Sequence, residues 1–451
     1  MGVTVTTETF WCEHAWLDNG VADAVLVSVS DGRITEIETG ARQATTSQVL
    51  RGLVIPGMGN AHSHAFHRAL RSRTQRDRGS FWTWRKLMYS AAGQLTPERY
   101  HALAAAVYAE MALAGITAVG EFHYVHHDTG GRRYADPNEM GKALIAAAAD
   151  AGVRITLLDT CYLRSGIDGA PLAEGPQQRF GDGTGAAWAE RAEQLRRDVE
   201  ADHNVIVGAA IHSVRAVPPP DMAAVVDWAE SHGAPLHVHS SEQTAEVDEC
   251  VAVHHRTPTA LLRDNGVLGP RTTAVHATHL TDEDLADMDR TETGVCFCPT
   301  TERDLGDGIG PAPALLDGRG LFSLGSDSHA VIDLFEEARA VELDERLARR
   351  ERGIISATTL LDAATSAGQR ALGWTDAGAL RVGAHADLVA VDTRSMRTAG
   401  GGPTAENVVF AASAADVTDV IVDGRTVVTE GRHTAIPDIG DALAQAIEEI
   451  R

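Results

Sequence analysis

Leu53-Val54-Ile55-Pro56-Gly57-Met58-Gly59-Asn60-Ala61-His62-Ser63-His64 opens as a short apolar run and ends on two histidines separated by one residue. In extended chain, residues i and i+2 point to the same side, so His62 and His64 can face one point in space. Reading outward, the pattern of an apolar run ending in polar residues recurs, with stretches of helical periodicity between the runs. Such alternation marks βα units on a parallel sheet. The further runs are Ile116 to Phe122, Arg154 to Thr160, Val205 to Ile211, Pro235 to Ser240, Thr272 to Val275, Gly294 to Cys298 and Leu321 to Ser326. With Leu53 to Asn60 they make eight, which predicts an α/β protein with a (β/α)8 TIM barrel. One intervening helix reads in detail: Thr96 as N-cap, Pro97 at the first helical position, Tyr100, Leu103, Val107 and Met111 on one face, and Gly115 as stop.

The flanks differ. Ala24 to Val29, the turn Asp31-Gly32-Arg33 and Ile34 to Ile37 read as strand, turn and strand. Asp387 to Val391 and Val420 to Val428, with a turn at Asp423-Gly424, supply comparable runs near the C-terminus. Strands from both ends are expected to pair into one small β-sandwich domain, residues 1–54 and 381–451, with a barrel domain at 55–380 inserted between its halves. A chain of 451 residues has room for both.

Lys and Arg number 39 against 63 Asp and Glu, a formal net charge of -24. That field repels nucleic acid and anionic membrane, and no basic patch offsets it, so neither is an expected partner. Met1 to Leu17 carries no basic segment followed by an apolar one, and no apolar run approaches the roughly 20 residues that span a bilayer. A cytoplasmic protein is expected. The five cysteines, Cys12, Cys161, Cys250, Cys296 and Cys298, lack the paired spacing of a disulfide framework or thiolate zinc site and read as reduced thiols. Cys296 and Cys298 read as small buried hydrophobes on a strand.

Barrel enzymes build their sites where the strands end. Besides His62 and His64, the ends carry His237-Val238-His239 after the fifth run, His276 after the sixth and Asp327 after the eighth. Independent core or surface histidines have no reason to collect there. His62, His64, His239 and Asp327 are the expected ligands of one metal, and three imidazoles with a carboxylate suit Zn2+ or Fe2+. A second metal would need a bridging anion such as a carbamylated lysine from the fourth strand, and Val205 to His212 holds no lysine. Glu242, three residues beyond His239, is placed to move protons to a leaving nitrogen. Asp327 can also accept a proton from water, and His276 can polarise the substrate. His126-His127, read as a loop before Asp128, and His254-His255 receive no role.

Pro56-Gly57 leading into His62-Ser63-His64, then His239, Glu242, His276 and Ser326-Asp327, resembles the amidohydrolase superfamily. Gly383-Ala384-His385-Ala386-Asp387-Leu388-Val389 is similar to the strand motif by which such enzymes complete their β domain. Longer strings resemble one family within it, the formimidoylglutamate deiminases: Ser80-Phe81-Trp82-Thr83-Trp84-Arg85, Glu121-Phe122-His123-Tyr124, His212-Ser213-Val214-Arg215-Ala216-Val217, Val275-His276-Ala277-Thr278-His279, Thr301-Glu302 and Leu305-Gly306-Asp307-Gly308. That resemblance implies hydrolysis of N-formimino-L-glutamate to N-formyl-L-glutamate and ammonia in histidine degradation. It implies Glu242, His276 and Asp327 as catalytic groups and Arg85, Tyr124, His212 and Arg215 as substrate contacts. Two arginines suit a dicarboxylate substrate. The family commonly has glutamine where this chain has His67, which as a cation would hold a carboxylate more strongly and leaves room for a related substrate. Ser240-Ser241 also replaces an apolar residue and alanine. Alternatives are a deaminase of guanine or a pterin on the same scaffold, or a metal-free scaffold protein. A homodimer would be usual for such a barrel.

Overall fold

The computed structural model of the chain describes residues 7–74 and 81–451, with only the backbone at Phe81 and Trp82. Ser80 and the side chain of Trp82 therefore lie outside the described residues. The chain begins with four strands, β1 (Glu8–Leu17), β2 (Gly20–Ser30), β3 (Arg33–Glu38) and β4 (Gln48–Pro56). The barrel strands follow: β5 (Met58–Ser63), β6 (Ile116–His123), β7 (Arg154–Cys161), β8 (Val205–Ile211), β9 (Leu236–Ser240), β10 (Thr272–His276), β11 (Gly294–Phe297) and β12 (Phe322–Leu324). The last four are β13 (Leu388–Val391), β14 (Val417–Val422), β15 (Arg425–Thr429) and β16 (Arg432–His433).

Strands β5 to β12 form one parallel sheet in sequence order. A bridge between Ser63 and Asp327 joins its first and last strands, so the seam of the (β/α)8 barrel closes at two site positions. Gly325 permits that closure, because a Cβ there would sit 2.8 Å from the Cβ of His62 and 2.9 Å from its backbone N and O. The helix read in advance spans Pro97–Leu113, and Thr96 caps it by accepting the N–H of Arg99. Tyr100, Leu103, Val107 and Met111 are buried, the apolar face seating the helix on the sheet.

The predicted run Leu53 to Asn60 proves to be two strands. Residues up to Pro56 belong to β4, which pairs with β1 and β13 of the small sheet, and the barrel strand starts at Met58. The small sheet draws on both ends of the chain, in the order β16-β15-β14-β13-β4-β1-β2-β3. One face buries Phe10, Cys12, Val25, Val27, Leu50, Val54, Leu388 and Ile421 in a core of its own, as a small sandwich requires, while Leu53, Ile55, Val389 and Val420 face the barrel core. β1 was not foreseen: its alternation breaks at a bulge between Cys12 and His14, so the period of two is lost within the strand. At the joint between the two units, Asp387 accepts hydrogen bonds from Arg154 Nη1 at 3.0 Å and Thr117 Oγ1 at 3.1 Å. Among the described residues no helix is long and apolar enough to cross a membrane.

Candidate active site

The C-terminal ends of the barrel strands bring the predicted side chains to one point. His62 lies on β5 and His64 one residue past it, His239 on β9, His276 at the end of β10 and Asp327 beyond β12. His239 Nε2 stands 3.1 Å from His62 Nε2, and Asp327 Oδ1 stands 3.3 Å from His62 Nε2 and 3.4 Å from His64 Nε2. His64 Nδ1 donates to the carbonyl of Phe122 at 3.0 Å, and His239 Nδ1 to that of His212 at 2.9 Å. A carbonyl can only accept, so each neutral ring presents an unprotonated Nε2 to the centre. Burial lowers the pKa of His62, His64 and His239. Burial works against the Asp327 carboxylate, but the histidines facing it hold its pKa well below the usual carboxylate range. Lone pairs thus converge in a buried space, at separations near the ~3.3 Å edge of a tetrahedron with metal–donor bonds of about 2.0–2.1 Å. The residues fit one divalent metal. Two further sets of close donors, His64 with His67 and His276 with Cys298, both include Asp327 and border this same centre. Burial keeps the Cys298 thiol protonated, pushing its pKa well up.

Non-glycine residues with left-handed backbone gather here: Ser241 (φ 52°), His276 (69°), Ala277 (47°), Asp327 (40°) and His329 (57°). Such conformations cost on the order of 1 kcal/mol or more each and persist where surrounding bonds hold them. Asp327 donates its N–H to the carbonyl of His62 at 3.0 Å, and Ala277 to that of Ser240 at 3.0 Å.

Above the donors lies an open cavity. Every substrate contact expected from the sequence lines it: Arg85, Tyr124, His212, Arg215 and His67, together with Glu242, His276 and Asp327. Trp84 is in the wall as well. Arg85 Nε donates to Tyr89 Oη at 2.7 Å, with its guanidinium carbon 5.2 Å from that ring's centre. Arg215 Nε lies 3.3 Å from Glu246 Oε2, and its Nη2 3.7 Å from Glu242 Oε2. Burial raises the pKa of Glu246 to about 7, against the pull of Arg215. The His212 ring packs 4.3 Å from Tyr162 and 5.4 Å from Tyr124.

His67 sits in the cavity wall as a ring that faces Tyr124. Its ring is buried, Nε2 lies 3.0 Å from Tyr124 Oη, and burial pushes its pKa down to about 3. It is a neutral partner of Tyr124. Glu302, Glu246 and Tyr89 are among the side chains of the site with no assigned role in the sequence. Glu302, in the helix Pro299–Leu305, takes His276 Nδ1 at 3.2 Å and the N–H of Cys298 at 2.8 Å on one oxygen. Burial disfavours the His276 cation, but Glu302, Glu242 and Asp327 outweigh it and raise the pKa well above the usual value. Glu246 and Tyr89 were also passed over, since nothing local marks a helix glutamate four residues past Glu242 as the partner of Arg215. His126 and His127 are inside, where His126 Nε2 donates to the carbonyl of Thr160 at 2.8 Å and His127 meets Asp182 at 3.2 Å.

A parallel barrel with a His-x-His strand end, further ligands on two more strands and a carboxylate beside them defines a metal-dependent hydrolase. Residues 53–427 match the amidohydrolase family, and the chain belongs to that family. The chain is 40% identical to the formimidoylglutamate deiminase of Pseudomonas aeruginosa, over 98% of this chain and 99% of that protein. It is 29% identical to the 8-oxoguanine deaminase of the same species, over 92% and 91%. Among solved structures it matches an amidohydrolase from Brucella melitensis with a TM-score of 0.91 at 34% identity, over 98% and 99%. An adenosine deaminase from Xanthomonas campestris with bound zinc shares the fold, with a TM-score of 0.84 at 24% identity over 98% and 97%.

Proposed function

We propose that this chain hydrolyses N-formimino-L-glutamate to N-formyl-L-glutamate and ammonia, a step of histidine degradation. The observation that carries the reading is a single cavity with a metal-ligand cluster at its floor and two guanidiniums, Arg85 and Arg215, in its wall. A formimino group must reach the floor while two carboxylates are held above it, and a guanidinium takes a carboxylate through two parallel hydrogen bonds. The Pseudomonas aeruginosa relative supports the same substrate. A neutral heterocycle such as guanine calls for neither arginine.

His62, His64, His239 and Asp327 would hold one divalent metal, zinc with iron(II) as the alternative. When bound, that metal supplies Lewis acidity and brings the pKa of water down towards neutrality. Asp327 accepts a proton from the attacking water. His276, held protonated beside Glu302, offers Nε2–H to charge developing on the heteroatoms bonded to the formimino carbon. Glu242 passes the two protons that the water loses, one of them by way of Asp327, to the formimino nitrogen, which leaves as ammonia while the carbon keeps the water's oxygen. Tyr124 and His212 bound the formimino group, and the neutral His67 takes the place of the more usual glutamine by fixing the Tyr124 hydroxyl. All these residues fall in the barrel of the proposed division, 55–380 against 1–54 with 381–451. We take the enzyme to work in the cytoplasm, as a homodimer or alone.

The test is ammonia release from N-formimino-L-glutamate, N-formimino-L-aspartate and guanine, before and after chelation and with zinc or iron(II) restored. Metal-dependent turnover selective for the glutamate compound supports the reading, and turnover of guanine in its place refutes it. Near-normal turnover by Glu242→Gln at unchanged metal content would remove Glu242 from its role.

A further inference from the structure

Behind the ligands, on the side away from the cavity, Asn60, Ser63, Glu121, Ser326 and His329 are each fully buried. They join in one line. Ser326 donates its backbone N–H to Asn60 Oδ1 at 2.9 Å, and that backbone donor fixes which way the amide faces. Asn60 Nδ2 therefore donates to Ser326 Oγ, at 2.7 Å. Ser326 Oγ lies 3.1 Å from His329 Nδ1, His329 Nε2 lies 3.2 Å from Ser63 Oγ, and Ser63 Oγ donates to Glu121 Oε2 at 2.8 Å. Glu121 Oε1 accepts the N–H of Ala65 at 2.7 Å.

Burial raises the pKa of Glu121 to about 7, and above that pH, with Glu121 ionised, one arrangement of protons uses every donor in this line. Ser63 gives its proton to Glu121, so it must accept from His329 Nε2–H. A neutral His329 protonated on Nε2 has a bare Nδ1, which accepts the proton of Ser326, and Ser326 in turn accepts from Asn60. Protonation at Nδ1 instead would leave the Ser326 hydroxyl proton without an acceptor in a place sealed from water, at a cost comparable to a lost buried hydrogen bond. The line spans the seam of the barrel. Ser63 sits between His62 and His64, and Ser326 precedes Asp327.

We infer that His329 is a positioning residue which, as the neutral Nε2–H tautomer, couples the strand end carrying His62 and His64 to the turn carrying Asp327 and thereby sets the affinity of the centre for its metal. Groups that orient metal ligands from behind typically change metal affinity by about 10–100-fold when removed. The inference rests on the proposed ligand assignment but on no particular substrate.

The experiment measures zinc affinity, by chelator competition, for the parent protein and for Ser63→Ala, Ser326→Ala and the double variant. Imidazole ¹⁵N spectra of the zinc-loaded parent at pH 8.5 are recorded alongside, with His329→Gln used to assign the ring. Circular dichroism and thermal melting confirm folding of each variant. The expected result is a His329 ring protonated on Nε2 alone and zinc binding weakened by about 10–100-fold in each single variant. Because both serines act through one ring, the double variant should lose no more than about threefold beyond the weaker single one. Single variants within about twofold of the parent, or losses that multiply in the double variant, overturn the coupling. A His329 found as the Nδ1–H tautomer or as a cation overturns the relay. A parent that binds no zinc overturns the ligand assignment itself and the positioning role with it, whatever the substrate assays show.

Discussion

Glu302→Gln isolates the contribution of one buried charge. Glu302 Oε1 accepts both the N–H of Cys298 at 2.8 Å and His276 Nδ1 at 3.2 Å. In the variant, the backbone donor of Cys298 requires an oxygen opposite it, so the amide keeps its oxygen there and still accepts from His276. Geometry is retained and only the negative charge goes. A hydrogen bond to an ionised partner contributes roughly 1–1.5 kcal/mol more than a neutral one, which is about one pKa unit and about tenfold in rate. The sign follows from which form of His276 is favoured. The carboxylate holds the cation, so removing it lowers the pKa of His276, and the protonated form is lost at a lower pH. The alkaline limb of the kcat/KM profile should move to lower pH by about one unit, and kcat should fall about tenfold at the pH optimum. KM should hold within about twofold, because Glu302 does not line the cavity. Glu302→Ala, which also strips the Cys298 N–H of its acceptor, should be the worse of the two. An unmoved alkaline limb with kcat/KM within about twofold of the parent refutes the argument that Glu302 acts through the charge of His276.

Arg85→Met and Arg215→Met each remove a charged hydrogen-bonding partner for a carboxylate, worth about 1.5–3 kcal/mol, so KM for the dicarboxylate should rise by on the order of 10–100-fold in steady-state kinetics, with a smaller effect on an analogue lacking the matching carboxylate. Glu246, with its pKa raised to about 7, is neutral below that pH and ionised above it, where it competes for Arg215. KM should accordingly climb as pH rises through about 7, and Glu246→Gln should flatten that climb. Gly325→Ala would press a methyl carbon against His62 and cost about 1–3 kcal/mol, read as a lowered midpoint in denaturant melts and reduced zinc content. Stripping the metal should lower the melting temperature, since a ligand at 1,000 times its Kd stabilises by about 4 kcal/mol, and added zinc should restore it.

The barrel was legible because its strands are buried runs with chemistry at one end, and chain order maps directly onto sheet order. What misled was the join at Pro56-Gly57. An uninterrupted apolar stretch serves two sheets there, and apolarity alone does not say which sheet a residue pairs in. The predicted ligands stand out locally as polar residues at strand ends, whereas Arg85, Tyr124, His212 and Arg215 were legible only through the resemblance to a family; the structure gathers both sets around one cavity. The groups behind them were not legible: Glu302 meets His276 across 26 positions and Ser63 meets His329 across 266. His67 shows the other limit. Its type was plain, but its charge state depends on the ring being sealed beside Tyr124, Trp84 and His64, and no local pattern conveys that.

The seam explains why strain, ligands and closure occupy the same place. β12 is only three residues long, and the barrel closes there through the bridge of Ser63 to Asp327 rather than through a full ladder. A short last strand lets the chain turn sharply enough at Asp327, with φ at 40°, to point its carboxylate at His62 and His64. That turn would be costly if held by backbone bonds alone. The side chains behind it supply what the missing ladder does not, from Asn60 on the first strand through Ser326 and His329 back to Ser63. A longer β12 would close the barrel more firmly but carry Asp327 along the strand direction and away from the histidines. On this argument the weak seam and the converging donors are one structural choice, in which backbone pairing is given up where the ligands must meet.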